Sequence, residues 1–153
     1  MVTLIEDEQE KEDICREVLS ALPDWFGNGD SLKQYAENCR KLPLWAAKDP
    51  LGVQGFIAFR ATAPRAGEVH VMGVCPKSHR KGLGRELFAA LYDYAAREKY
   101  RFLTVKTVRM GEYESYDRTN LFYKSLGFLE LECLPELWDE ANPCQIYIMD
   151  VIA

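Results

Sequence analysis

The sequence predicts an α/β (α+β) fold, a sheet with helices on its faces. Three observations predict it. Runs rich in β-branched and aromatic residues are interspersed with amphipathic runs of helical period. Two strand-like runs joined by "APRAG" read as an antiparallel hairpin. The order is helices early, then the hairpin, then strand–helix–strand–helix–strand–strand, which places helices against a sheet rather than in a bundle. With 153 residues, 48% apolar and 28% charged, the chain suits one domain spanning 1–153 with its own core.

Each element has a local reason. "VTLI" reads as a short first strand. Glu10 to Leu22 spaces Ile14, Val18, Leu19 and Leu22 at helical intervals, and Pro23 and Gly27 interrupt the pattern beyond it. "DSLKQYAENCRKL" opens with Asp30 or Ser31 as N-cap and carries Leu32, Tyr35, Ala36 and Cys39 on one side. "LWAAK", "VQGFIAFRAT" and "EVHVMGV" read as strands, the last two flanking the hairpin turn. Gly82 to Tyr100 sets Leu83, Leu87, Leu91 and Ala95 four apart with Phe88 beside them, the clearest helix in the chain. "RFLTVKTV" is a strand with a buried centre. "YDRTNLFYKSLGF" is a helix ended by Gly127 at C′. "LELECL" and "QIYIMDVI" are the last strands.

Composition excludes several classes. The net charge of −5 argues against broad binding to a phosphate backbone and leaves room for a cationic substrate. No run reaches the apolar length of a membrane span, and the first residues lack the pattern of a secretory signal. The five cysteines, Cys15, Cys39, Cys75, Cys133 and Cys144, are scattered, odd in number and without C-x-x-C spacing. Reduced thiols in a cytoplasm are expected, with no disulfide framework and no metal site.

"KSHRKGLGRELF" sets Gly82 and Gly84 where a helix begins. The first N–H groups of a helix lack intrahelical partners and lie at its positive end, and glycine lets a ligand approach the backbone. Such a turn suits a phosphate or pyrophosphate. The P-loop pattern is absent. The dinucleotide fingerprint would need a glycine where Leu87 stands, and the preceding strands form a hairpin instead of opening a β-α-β unit, which disfavours a nicotinamide-dependent oxidoreductase.

"VMGVCPKSHRKGLGRELF", with "TNLFYKSLGF" downstream of it, resembles the GNAT superfamily of acyl-CoA-dependent N-acyltransferases. Gly82 and Gly84 match its [RQ]-x-x-G-x-[GA] loop, while His79 departs from the first position. Asn120, Tyr123 and the Gly127–Phe128 pair match its second motif. The resemblance implies a mixed, mainly antiparallel central sheet with a V-shaped splay between the fourth and fifth strands and helices on both faces. It implies acetyl-CoA as co-substrate. The main chain of Met72, Gly73 and Val74 would contact pantetheine, with Gly73 at or near a bulge. The main chain of His79, Arg80, Lys81, Gly82, Leu83 and Gly84 would wrap the pyrophosphate, with Arg80, Lys81 or Arg85 adding charge. Asn120 would hydrogen-bond the pantetheine.

Acyl transfer from a thioester to an amine needs a base for the amine, a donor for the oxyanion and an acid for the thiolate. A lysine-like amine of pKa about 10.4 is roughly one part in two thousand neutral at pH 7, a handicap of about 4–5 kcal/mol. Glu68 and His70, two apart on one strand, are the candidate bases, Glu68 first by its place in the family pattern. The resemblance makes Tyr123 the general acid, and a backbone N–H near Val74 is the expected oxyanion donor. Cys75 lacks a visible histidine–acid partnership, so direct transfer without an acyl-enzyme is favoured.

The resemblance fixes the cofactor and leaves the acceptor open between a small-molecule amine and a protein amine. Trp25, Phe26, Trp138, Asp139 and Glu140 are the expected acceptor residues; aromatics with carboxylates suit a cationic amine. Trp25 and Phe26 also fit a core role after the first helix. No nucleic-acid or membrane partner is expected, and the chain is expected as monomer or homodimer. A non-catalytic acyl-CoA-binding or regulatory module of the same fold is the alternative.

Overall fold

The structure is a computed structural model and describes residues 1–79 and 81–152. Among these the order is β1 (Val2–Ile5), α1 (Glu8–Ser20), α2 (Pro23–Phe26), α3 (Gly29–Cys39), β2 (Leu44–Asp49), β3 (Gly52–Ala63), β4 (Ala66–Val74), a 3₁₀ turn (Pro76–Ser78), α4 (Leu83–Arg97), β5 (Phe102–Val108), α5 (Glu114–Leu126), β6 (Leu129–Asp139) and β7 (Asn142–Asp150). The strands form one sheet of order β1-β2-β3-β4-β5-β7-β6. The β1–β2, β2–β3, β5–β7 and β6–β7 pairs are antiparallel, and β4–β5 is parallel. The mixed, mainly antiparallel α/β fold is therefore as expected. The parallel register runs only from Ala66↔Phe102 to Glu68↔Thr104, consistent with the splay after the first residues of β4.

Backbone contacts group the chain into two compact units, Met1–Arg60 with Val69–Tyr94, and Ala61–Glu68 with Ala95–Ala153. In the first unit, the Asp7 carboxylate accepts the Glu10 N–H at 2.8 Å and caps α1. The helix thus starts before its first apolar contact residue. The cap of α3 is Asn28, whose Oδ1 accepts the N–H groups of Asp30 and Ser31. That corrects the expected cap by two or three positions; the amide oxygen reaches forward over Gly29 to the orphan donors. Ile14, Cys15, Val18 and Leu19 of α1 and Ala36 and Cys39 of α3 bury against Leu44, Ala46, Phe56, Ala58 and Val71. Full burial of each large apolar side chain is worth about 1.5–3 kcal/mol.

Two glycines make this packing possible. A Cβ on Gly73 would lie 2.9 Å from Leu22 Cδ1 and 3.1 Å from Val18 Cγ1, so the bare backbone of β4 receives the end of α1. A Cβ on Gly55 would lie 2.9 Å from the Gly73 carbonyl oxygen. Gly73 thus has a packing role that the sequence did not disclose.

In the second unit, both helix ends use the same stop. The Tyr100 N–H bonds the Ala95 carbonyl at 3.0 Å and the Lys99 N–H bonds Ala96 at 3.2 Å, with Lys99 at φ 68°. This is a Schellman motif on a non-glycine residue. It ends α4 at Arg97, earlier than the apolar spacing indicates. At the end of α5, Gly127 at φ 109° holds the same position. There the Phe128 N–H bonds the Tyr123 carbonyl and the two rings meet edge to face at 5.8 Å.

Lys99→Gly is expected to stabilise the protein by about 1 kcal/mol. Relief of the left-handed strain is worth about 1–2 kcal/mol and the added freedom of the unfolded chain returns part of it. Thermal denaturation should show a rise of roughly 2–4 °C. An unchanged or lower midpoint would contradict the assignment of strain.

Candidate active site

The residues expected to contact the cofactor in the first unit lie at the end of β4 and after it. Met72 and Val74 are half-buried there. The Cys75 N–H donates to the Gln54 carbonyl at 2.8 Å, and the 3₁₀ turn closes with Ser78 N–H on Cys75 O at 2.8 Å. The Ser78 hydroxyl donates to Gln54 Oε1 at 2.7 Å in the interior. His79 leaves the turn extended, and its Nε2 sits 2.6 Å from the Val74 carbonyl oxygen. A carbonyl only accepts, so Nε2 carries the proton. Arg80 lies outside the described residues.

Gly82 adopts φ +79°, and a Cβ there would meet nothing within 4 Å. Its carbonyl accepts the Glu86 N–H at 3.2 Å, which makes it the residue from which α4 springs. Leu83 and Gly84 stand at the end of the helix where the first N–H groups have no partner within it. Gly84 stands inside the first turn, and Lys81 and Arg85 are exposed. Left-handed backbone, open space and helix-end donors together suit the approach of an anion.

Of the acceptor-side residues, Trp25 and Phe26 are half-buried on the α1–α3 core. Trp25 meets the His79 ring edge-on at 6.3 Å. Phe26 meets Tyr35 at 5.8 Å, and Tyr35 meets His70 at 5.4 Å. The structure therefore brings two expected acceptor residues into aromatic contact chains ending at His79 and His70. Burial pushes the Cys75 thiol up, helped by the Glu17 charge, and its Sγ rests on the Val53 carbonyl. That is the environment of an inert thiol rather than a nucleophile.

In the second unit, Glu68 is buried and its Oε1 meets Lys106 Nζ at 3.0 Å. Lys106 was not singled out from the sequence. The register Glu68↔Thr104 puts it two residues along β5, on the face of Thr104, a relation invisible until the strands are paired.

Asn120 is fully buried. Its Nδ2 donates to the carbonyls of Val108 at 2.9 Å and Tyr116 at 2.7 Å, and its Oδ1 accepts the Tyr147 hydroxyl. Both amide hydrogens are committed, and Oδ1 keeps one further lone pair. Tyr147 was also missed from the sequence; burial, then the Glu130 charge, push its hydroxyl pKa up. Tyr123 is buried, with its ring against Phe122, Phe128 and Tyr147. Burial pushes the Cys144 thiol up to about 11, against the nearby Lys106 charge.

The β6–β7 connection carries the other acceptor-side residues. Asp139 Oδ1 accepts the Ala141 N–H at 3.0 Å and Asn142 Nδ2 at 2.7 Å, so this carboxylate shapes the turn. Trp138 is 44% exposed, and Glu140 is exposed beside it. No group of three or more His, Cys, Asp or Glu side chains able to hold a metal ion occurs among the described residues. No helix among them is long and apolar enough to cross a membrane.

The acetyltransferase (GNAT) domain family matches residues 40–130, more than half of the chain. The chain belongs to the GNAT acetyltransferase family. No curated protein matches its sequence. Among solved structures, it is similar to a Desulfovibrio desulfuricans protein described as a GNAT-family acetyltransferase, with TM-score 0.82 and 17% identity over 99% of this chain and 100% of that one. An aminoglycoside 6'-N-acetyltransferase complexed with coenzyme A gives TM-score 0.77 and 17% identity over 99% and 98% of the two chains. The Escherichia coli ribosomal-protein-S18-alanine N-acetyltransferase gives 0.78 and 16% over 100% and 96%. At these identities the likeness is one of fold.

Proposed function

We propose that the chain, acting as a single domain over 1–153, transfers an acetyl group from acetyl-CoA directly to a primary amine. The observation that carries this reading is Gly82, a left-handed glycine with open space above it at the start of α4, in a chain of the acetyltransferase family. A fold neighbour crystallised with coenzyme A supports the choice of cofactor. Acetyl-CoA supplies an activated thioester.

The chain's own residues do the rest. Main-chain groups of Met72, Gly73 and Val74 hold the pantetheine arm, with Asn120 Oδ1 as a further acceptor. Main-chain N–H groups from His79 to Gly84 hold the pyrophosphate, and Arg80, Lys81 and Arg85 add positive charge. Glu68 takes the proton of the amine, with His70 as the second candidate. The Tyr123 hydroxyl gives its proton to the departing sulfur. Trp25, Phe26, Trp138, Asp139 and Glu140 are the acceptor residues of this reading, with Glu140 carrying the charge recognition because Asp139 is engaged in its turn.

The acceptor is a small-molecule or a protein amine; fold neighbours named for aminoglycosides and for a ribosomal-protein alanine support both. The reaction is placed in the cytoplasm, on a monomer or homodimer, without metal, nucleic acid or membrane partner.

The test has two readouts. Acetyl-CoA is expected to raise the thermal midpoint more than NAD or ATP, because binding only to the native state stabilises it by mass action. A panel of amines with acetyl-CoA, monitored by thiol release, is expected to reveal turnover. A larger shift with NAD would overturn the cofactor assignment. Acetyl-CoA binding without turnover on any amine would favour a binding module.

A further inference from the structure

We propose that the turn from Cys75 to His79 is preset by two side-chain anchors, and that Gln54, Ser78 and His79 are positioning residues for the cofactor loop; this rests on the acetyl-CoA reading above. The first anchor is Gln54 on β3. It is 4% exposed, as is Ser78. Its main-chain oxygen accepts the Cys75 N–H at 2.8 Å and its Oε1 accepts the Ser78 hydroxyl at 2.7 Å. One side chain and its own backbone thus grip both ends of the turn. Gln54 Nε2 donates in turn to Asp49 Oδ1 at 3.2 Å, and that oxygen also accepts the Leu51 N–H at 2.8 Å, which fixes the amide's orientation.

The second anchor is His79. It is the residue that leaves the turn toward Gly82, and its Nε2–H returns to the Val74 carbonyl at 2.6 Å. The entry to the loop is thereby tied to the end of β4. The Trp25 ring stands edge-on to the imidazole, with the ring centroids 6.3 Å apart.

A buried glutamine–serine pair is a poor way to gain stability. Burial of polar groups is tolerated when they are hydrogen-bonded, and an apolar pair of the same shape would serve the core as well. What the pair adds is direction. A loop held in its binding geometry loses less conformational freedom when the ligand arrives, and affinity rises accordingly. The anchors act on the loop that leads to the pyrophosphate donors, so the effect falls on the nucleotide end of the cofactor.

The experiment compares the affinities of coenzyme A and of pantetheine, the part of the cofactor that lacks the nucleotide and pyrophosphate. Calorimetric and NMR titrations of wild type, Gln54→Met, Ser78→Ala, His79→Phe and His79→Gln supply them. Gln54→Met and His79→Phe are expected to weaken coenzyme A about tenfold and to leave pantetheine unweakened. Ser78→Ala is expected to weaken coenzyme A to a smaller extent. His79→Gln keeps an N–H donor and is expected to restore most of the loss. Because His79 is exposed, its variants are expected to fold even if Gln54→Met does not. Equal losses for both ligands, or a lower melting temperature with both affinities intact, would overturn the proposal and leave these residues as ordinary supports of the fold. Absence of coenzyme A binding by the wild type would overturn the cofactor reading together with it; unchanged binding in every variant would overturn the anchors alone.

Discussion

Tyr123→Phe is expected to lower kcat by about ten- to a thousandfold while cofactor affinity is kept. Positioned proton transfer is typically worth 10²–10⁴-fold, and water replaces part of it when the hydroxyl is removed. The substitution leaves the ring, and with it the contacts to Phe122, Phe128 and Tyr147. It also leaves the main-chain carbonyl that closes the Schellman motif at the end of α5. A loss of folding is therefore not expected. If the hydroxyl acts only in the transition state, kcat and kcat/KM fall together. Steady-state kinetics with an accepted amine, plus titration of coenzyme A into both proteins, provide the check. An unchanged kcat with chemistry shown to be rate-limiting would return Tyr123 to a purely packing role.

Asn120→Leu is expected to destabilise the protein by about 2–6 kcal/mol. Leucine has the same branching and number of heavy atoms and is somewhat larger, so no cavity is left and the cost begins with the lost hydrogen bonds. The Val108 carbonyl and the Tyr147 hydroxyl lose their Asn120 partner in the interior, at about 1–3 kcal/mol each. The Tyr116 carbonyl loses a second donor but keeps its place in the helix. Against a typical stability of about 5–15 kcal/mol this is a large fraction. Urea denaturation of Asn120→Leu, Tyr147→Phe and the double variant measures it. The double variant is expected to be more stable than the sum of the singles implies, because removing both partners of one bond leaves fewer orphaned groups. A single Asn120→Leu as stable as wild type would show that these bonds do not hold α5 to β5 and β7.

Much of this chain was legible because its signals are local. Helical spacing located α1, α3, α4 and α5, and alternating or apolar runs located the strands, since both depend on residues within a few positions of one another. The glycines of the loop were legible for the same reason. They were read as allowing close approach to the backbone at a helix start, and the structure adds that Gly82 is left-handed, with φ +79°. Boundaries were less legible. The Asp7 and Asn28 caps lie outside the apolar pattern, and Lys99 ends a helix in a conformation that its side chain does not advertise.

What the sequence determined by itself was therefore the fold class, the place of the glycine loop and the short list of chemically able residues. The tertiary structure alone decided their partners. Glu68 meets Lys106 through the β4–β5 register, and Asn120 meets Val108 and Tyr147 through the packing of α5. Gln54 reaches Ser78 because β3 and the turn after β4 lie side by side, 24 positions apart in the chain. The Leu22 and Val18 side chains lie where a Cβ on Gly73 would be. The physical reason is the same in each case. A contact between distant segments is set by strand register and helix packing, and these come from the whole core rather than from any stretch of residues that can be read along the chain.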